Sequence, residues 1–205
     1  MGEAAGRASV IGDHKSIQPV GPTLVTDRLL LRPWRDDDLD PVAALNGDAE
    51  TMRYFPATLD RGQSDAFVRR MTQSFAWSGA GMWAVEAPGI APCIGAVGLL
   101  RVSFQAHFTP AVEVGWRLAR AYWGQGYATE AGSASLRYAF DDLGLDEVVS
   151  FTAVVNKPSQ AVMKRLGMRR DPDDDFDHPR IPSDHVLSRH VLFRISRADW
   201  TGDRG

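Results

Sequence analysis

The chain is predicted to fold as a mixed α/β domain, an open sheet with helices packed on it. Three observations lead there. Short apolar or alternating runs separated by turn residues come early and in succession, as antiparallel strands do. A strand, a glycine loop, a helix and another strand then follow, the makings of a βαβ unit. No repeat and no linker-like stretch divides the chain, so one core is expected from 205 residues of which 44% are hydrophobic.

Residues 1–20 are rich in Gly, Ala and polar side chains and are expected to form a mobile tail, with a single domain over 21–205. Leu24-Val25-Thr26 and Leu29-Leu30-Leu31-Arg32 read as a strand or hairpin that Pro33 stops. Asp36, Asp37 and Asp38 lead a helix carrying Leu39, Val42, Ala43 and Leu45 on one face, because acidic side chains favour a helix N-terminus. After an irregular segment over 52–56, a second helix over 64–77 places Phe67, Val68, Met71 and Phe75 at helical spacing and ends at Gly79 and Gly81. Strands over 82–86, 94–100 and 112–118 follow, the first two parted by an Ala87-Pro88-Gly89 turn. A long helix from Ala128 to about Leu143 stops at Gly144. A buried strand over 147–155, a short helix over 159–166, an acidic loop over 171–177 and a last strand over 190–195 complete the order.

Charge and composition narrow the function classes. A net charge of −3 offers no overall attraction to nucleic acid or to an anionic membrane surface. No window reaches the roughly 18 apolar residues of a spanning helix, and the first 20 residues lack the apolar stretch of a signal peptide, so a cytoplasmic location is expected. Cys93 has no partner for an internal disulfide, which suits a reducing compartment, and reads as a small buried residue. His107, His178, His185 and His190 lack metal-ligand spacing, so no metal site is expected. No Ser-His-Asp order of a hydrolase is legible either.

The informative stretch is Trp123-Gly124-Gln125-Gly126-Tyr127-Ala128-Thr129-Glu130, between the 112–118 strand and the following helix. A small-residue loop opening a helix leaves backbone N–H groups unpaired and aimed at one point, where the helix dipole also favours phosphate oxygens. The loop lacks the Gly-Lys-Ser/Thr ending of a P-loop, and Thr129 stands where a dinucleotide fingerprint needs its third glycine. Alone, it is equally a packing turn.

Its surroundings add to the signal. Glu113-Val114-Gly115-Trp116 lies before the loop, and Asn156-Lys157-Pro158-Ser159 and Leu166-Gly167-Met168 lie after it. In this ordered set the chain resembles the GNAT superfamily of N-acetyltransferases from about Leu24 to Trp200. Trp123, where the superfamily commonly has Arg or Gln, makes it similar to the RimJ/RimL-like branch, which acetylates protein N-termini and other amines. The resemblance implies a mostly antiparallel, GNAT-type sheet flanked by helices. Its central strands, here 112–118 and 147–155, would splay apart to hold acyl-coenzyme A.

That resemblance implies acetyl-CoA as the acyl donor and an amine as acceptor, a small molecule or a protein N-terminus. A longer acyl group stays open, and so does the oligomeric state, a homodimer included. Gly124, Gln125, Gly126, Tyr127 and Ala128 would offer backbone N–H groups and Thr129 a hydroxyl, with Trp123 beside them. The resemblance places backbone groups of Trp116, Arg117 and Leu118 along the pantetheine arm, with Asn156 also on the cofactor. Asn156 is equally a turn residue closing the strand, and Ser159 equally a first-turn serine satisfying backbone donors.

Glu113 is the candidate general base. It lies between Val112 and Val114 on a strand and so points to the face opposite both. A partly buried carboxylate has a raised pKa and can accept a proton near neutrality, often through water. The competing role is a structural ion pair with Arg117 or with a cation on another strand, and Glu86 is the reserve base. Many GNAT enzymes have a tyrosine that protonates the departing thiolate at the position of Met163; in the branch resembled, a serine such as Ser159 serves instead. Met163 gives some footing to a catalytically silent coenzyme A-binding module, a role for which Glu113 would be superfluous.

Lys157, Lys164 and Arg165 are candidates for the outer phosphates, or are solvated surface charges. Of Trp34, Tyr54, Trp83, Phe108 and Trp116, no more than two are expected to line the acceptor side. The acidic loop either attracts a cationic amine or is a solvated, partly mobile loop.

Overall fold

The computed structural model describes residues 16–202. Most of the expected tail, residues 1–15, lies outside them. Within the described part, the Ile17 N–H donates to Asp36 Oδ1 at 2.8 Å, and Ile17 and Val20 pack against core clusters.

The chain opens with a short hairpin, β1 (Leu24–Val25) and β2 (Leu30–Arg32), registered through Leu24 and Leu31. A 3-10 turn at Asp36–Asp38 leads into α1 (Leu39–Gly47). Asp38 is buried here because Arg32 donates to both its carboxylate oxygens at 2.8 Å, tying β2 to the helix start. The second helix, α2 (Arg61–Ser78), begins earlier than its apolar spacing predicted. Asp60 and Gln63 form a reciprocal capping box that adds a turn of polar residues before the apolar stripe. Gly79 then caps its C-terminus at φ 69, a left-handed angle that glycine adopts freely.

Strands β3 (Met82–Ala87), β4 (Ala91–Arg101) and β5 (Val112–Leu118) form an antiparallel meander. Helix α3 (Tyr127–Arg137) carries the chain across to β6 (Glu147–Ala153). The expected continuation of α3 changes character over Tyr138–Asp142, where wider π-helical bonds run, such as Leu143 N–H to the Tyr138 carbonyl. Helix α4 (Lys157–Arg165), two short strands that sequence periodicity did not reveal, β7 (Arg169–Arg170) and β8 (Phe176–Asp177), and the long β9 (Arg189–Ser196) complete the fold.

The sheet runs β1-β2-β3-β4-β5-β6-β9-β7, with β8 also on β9. All pairings are antiparallel except β5 with β6. Alternation along the strands gives each face its own core. Helices α3 and α4 cover one face, packing Leu136, Phe140, Met163 and Leu166 against Val114, Val148, Val191 and Phe193. Helices α1 and α2 cover the opposite face of β3 and β4, with Trp34, Phe67, Val68 and Met71 against Met82, Ala84 and Ala96. Farther along, Phe108, Val149, Phe176 and Leu192 make a separate cluster. Between these last two groups the sheet surface is left open, and Glu113 lies there.

Candidate active site

Strand β5 is fully paired on one edge and almost unpaired on the other. Its ladder with β4 runs from Gly95–Leu118 to Arg101–Val112, whereas its parallel pairing with β6 is a single register point, Glu113 to Val149. The two strands meet near their N-terminal ends and part beyond it. The Ala119 N–H bonds the Ile94 carbonyl, which fixes the phase of the β4 ladder. By alternation, the backbone groups of 113, 115 and 117 address β4, and those of 114, 116 and 118 face the gap. The Leu118 carbonyl accepts the Trp123 indole N–H at 2.7 Å, so Trp116 presents its backbone edge along the parted strands. A cavity of about 1370 Å³ fills this region, lined by Trp116 and Leu118 on one strand and Ser150 and Thr152 on the other.

The glycine loop closes one end of the cavity. A 3-10 turn at Arg120–Tyr122 brings the chain round to Gly124 and Gly126, which take φ of 75 and 85. Gly126 is the N-cap of α3, and its carbonyl receives both the Thr129 and Glu130 N–H groups at 3.0 Å. Thr129 therefore has only its hydroxyl to offer. The N–H groups of Gly124, Gln125 and Gly126 meet no backbone acceptor among the described residues, and those of Tyr127 and Ala128 belong to the unpaired first turn of the helix. A Cβ at Gly124 would touch nothing within 4 Å, which leaves the loop backbone open to close approach.

A residue far away in sequence supports this loop. Arg28 bonds Glu130 Oε2 through Nε at 2.7 Å and Nη2 at 2.6 Å, reaches the Gln125 carbonyl at 3.0 Å and lies 4.8 Å over the Tyr127 ring. Glu130 also accepts from the Thr26 hydroxyl and the Arg28 N–H. Burial works to raise the pKa of Glu130, but these bonds outweigh it and hold the carboxylate ionised.

Glu113 lines the same cavity, beside Gly115, whose missing Cβ would stand 3.6 Å from Glu113 Oε1. No hydrogen bond or cation among the described residues answers its carboxylate. It keeps an opening to the cavity, yet the protein packed around it pushes its pKa up to about 8. The structural ion pair with Arg117 is not made, because Arg117 Nη1 donates instead to Asn46 Oδ1 at 2.7 Å.

On the far wall, Asn156 caps α4 by accepting the Ser159 N–H at 3.2 Å and donates to the Thr152 hydroxyl at 2.8 Å. Its amide is thus engaged at both ends, as a turn residue's would be, while the residue still borders the cavity beside Ser159. Met163 is 1% exposed in the core under α4. The acceptor side is bounded by Tyr54, Phe55 and Phe67 on one flank and by Phe151, His178 and His190 on the other. Burial, then His190 and Arg180, push the His178 pKa down to about 4, and burial also lowers His190. Both imidazoles are neutral at physiological pH.

Other expected residues lie elsewhere. Glu86 is outside the cavity and accepts from Arg32 Nε at 2.6 Å. Trp34 and Trp83 are buried core residues whose indoles bond the Met82 and Pro22 carbonyls, and Phe108 belongs to the cluster under the 102–111 segment. Tyr54 and Trp116 are the two of that group on the cavity wall. Of the three cations on α4, Arg165 borders the cavity, while Lys157 and Lys164 are exposed away from it. The Gln125 side chain bonds the Ala121 carbonyl and faces away. Three carboxylates of the acidic loop are paired within the protein: Asp174 with Arg194 and, at 3.2 Å, the His107 ring, Asp175 with Arg170, Asp177 with Arg189. Cys93 is buried, its thiol pushed up to about 12 by desolvation. Among the described residues no group of three or more His, Cys, Asp or Glu is placed to hold a metal, and no helix is long and apolar enough to cross a membrane.

Sequence reasoning missed Arg28, Asn46, Phe55, Phe151 and the His178–His190 pair, whose rings lie 5.0 Å apart. None has a local signal. Arg28 and Glu130 are 102 residues apart, and only the fold brings them together.

Comparison with known proteins agrees with this geometry. The profile of the acetyltransferase (GNAT) domain family matches residues 28–169. The FsC-acetyl coenzyme A-N(2)-transacetylase of Aspergillus fumigatus is 31% identical over 188 residues, covering 87% of this chain and 78% of that protein. Among solved structures, a GNAT-family acetyltransferase from Bacillus anthracis superposes with a TM-score of 0.70 at 23% identity, over 86% of this chain and 99% of its own. An acetyltransferase from Agrobacterium tumefaciens superposes with a TM-score of 0.67 at 26% identity, over 93% and 99%.

Proposed function

Because the chain belongs to the GNAT acetyltransferase family and is an acetyl-transferring enzyme, we propose that it moves an acetyl group from acetyl-CoA to a primary amine by direct attack, with Glu113 as the general base. The observation that carries this reading is Glu113 itself: an unpaired carboxyl with a pKa raised to about 8, on the wall of the cavity that the glycine loop closes. A silent binder has no use for such a group, which costs stability without making a contact.

The residues present suit the donor. The N–H groups from Gly124 to Ala128, the Thr129 hydroxyl and the dipole of α3 would hold its pyrophosphate. The backbone edge of Trp116 would pair with the pantetheine arm, standing in for the ladder that β6 does not continue. When bound, acetyl-CoA supplies the activated acyl carbon. The amine nitrogen would form the new C–N bond as the C–S bond breaks. Glu113 takes the proton that the nitrogen sheds, directly or through water, and Ser159 offers a hydroxyl to the departing thiolate. The name of the Aspergillus relative supports the donor and a nitrogen acceptor. Trp123 before Gly124 supports the RimJ/RimL-like branch, and the buried lone cysteine suits a cytoplasmic setting.

The test is calorimetric titration with acetyl-CoA alongside a screen of amines for release of free thiol. Binding with amine-dependent release bears the reading out, and absence of acetyl-CoA binding removes it.

A further inference from the structure

Arg117 is a partly buried cation for which the protein provides no anion. It projects from β5 on the same face as Glu113, under Phe55 at 4.2 Å and Phe67 at 5.1 Å from their ring centroids, and it borders the cavity. Nη1 is taken by the amide oxygen of Asn46, itself fixed by donating to the Ser64 hydroxyl at 2.9 Å. Nε is fully buried and has no acceptor among the described residues. No carboxylate among them pairs with the guanidinium, and the nearby charge that acts on it is another cation, Arg70. Desolvation, then Arg70, pull its pKa down to about 10, and the Phe55 and Phe67 rings and the Asn46 amide answer the charge without supplying an anion.

A role in packing α1 against β5 would not need that charge. A neutral side chain of similar shape could bridge Phe55, Phe67 and Asn46 without the cost of desolvating an ion that has no anionic partner. The arrangement of the guanidinium is informative. With Nη1 held by Asn46 and Nε closed off by the protein, Nη2 is the nitrogen left to donate to a carboxylate, in a charge-assisted bond. Glu113 and Arg117 share one strand face four residues apart, about 13 Å between Cα atoms at ~3.3 Å per residue. Both long side chains border one cavity, so a single small molecule can lie between a base and a fixed cation.

We propose that the acceptor amine carries a carboxylate, and that Arg117 binds that carboxylate and so orients the nitrogen toward Glu113. This rests on the acetyl-transfer reading and narrows its substrate class to amino acids and related amino carboxylates. The aromatic flanks, Phe55 and Phe67 facing Phe151 and His178, favour one with an apolar or aromatic body.

The experiment uses matched pairs: phenylalanine with phenethylamine, tryptophan with tryptamine, and a series of ω-amino acids with the alkylamines they become on losing the carboxylate. Thiol release from acetyl-CoA gives kcat/KM for each member. The wild-type protein is expected to favour the carboxylate member of at least one pair by about 100-fold, since a site built for a polar group strongly rejects the analogue lacking it. Arg117→Gln is expected to bring that ratio to near one, and Arg117→Lys to leave it in between. Wild-type ratios near one in every pair overturn the inference, whether or not the variants fold, while the transfer reading stands. A strong preference that survives Arg117→Gln in a variant that still binds acetyl-CoA overturns the role of Arg117. No release with any of these amines, despite acetyl-CoA binding, overturns this inference, whereas absence of acetyl-CoA binding brings down the transfer reading as well.

Discussion

Glu130 holds Arg28 side-on, its Oε2 accepting Nε at 2.7 Å and Nη2 at 2.6 Å, and through that pair the β1–β2 turn braces the glycine loop. The Thr26 hydroxyl and the Arg28 N–H complete the carboxylate's coordination at Oε1, at 2.6 and 2.9 Å. The pair is only partly shielded, so its value lies in positioning more than in raw stability. Glu130→Ala is expected to cost about 1–2 kcal/mol, read as a lower Tm. It should also weaken coenzyme A binding about threefold to tenfold, because the Gln125 carbonyl and the Tyr127 ring lose the anchored guanidinium. Calorimetry on the folded variant checks both; unchanged affinity would mean the loop holds its shape unaided.

The acidic loop should behave as structure. Asp174 and Asp175 are held by Arg194 and Arg170, so these two carboxylates have little free charge left to attract an amine. Asp174→Asn with Asp175→Asn is expected to lower stability by about 1–2 kcal/mol in total, since both pairs are partly shielded from water, and to leave the acceptor KM and its salt dependence unchanged. A KM that rises several-fold in the double variant would restore electrostatic recruitment.

Glu113 should weaken the fold that holds it. Its carboxyl titrates near 8 in the folded chain against 4.5 for an unperturbed glutamate, so the folded state binds that proton more tightly than the unfolded state. The side chain is therefore least costly below pH 4.5, and stability drains away as pH rises from there through about 8. Glu113→Gln removes the titration. Its Tm is expected to exceed that of the wild type by a growing margin between those two values and by a constant one above. Thermal melts across pH check this, and parallel curves would mean that the carboxylate is solvated.

Much of this was legible in the sequence, for identifiable reasons. Strands β3 to β6 and helices α2 to α4 carry periodic apolar faces, and Gly124 and Gly126 mark a loop whose backbone angles admit little else. Glu113 was legible because alternation alone turns it away from Val114 and the core. What was not legible depends on contacts between distant segments. Strands β7 and β8 have two residues each, too few to show a period, and form only because β9 offers them an edge. Sequence favours the core for most of the five candidate aromatics without saying which; Trp83 and Trp34 prove to be core residues, with indoles satisfied by the Pro22 and Met82 carbonyls. Arg117 was expected to contribute backbone or to pair with Glu113, and nothing local announces that Asn46 takes its place.

The most direct test of the account is the pH profile of amine-dependent thiol release from acetyl-CoA, measured as kcat/KM for the wild type and Glu113→Gln. With a base titrating near 8, wild-type activity should climb through that pH once ionisation of the amine itself is corrected for. Glu113→Gln should lack that limb, falling about 100-fold below the wild type above pH 8 and converging with it near pH 6. Superimposable profiles for the two proteins would contradict the assignment of Glu113 as the base.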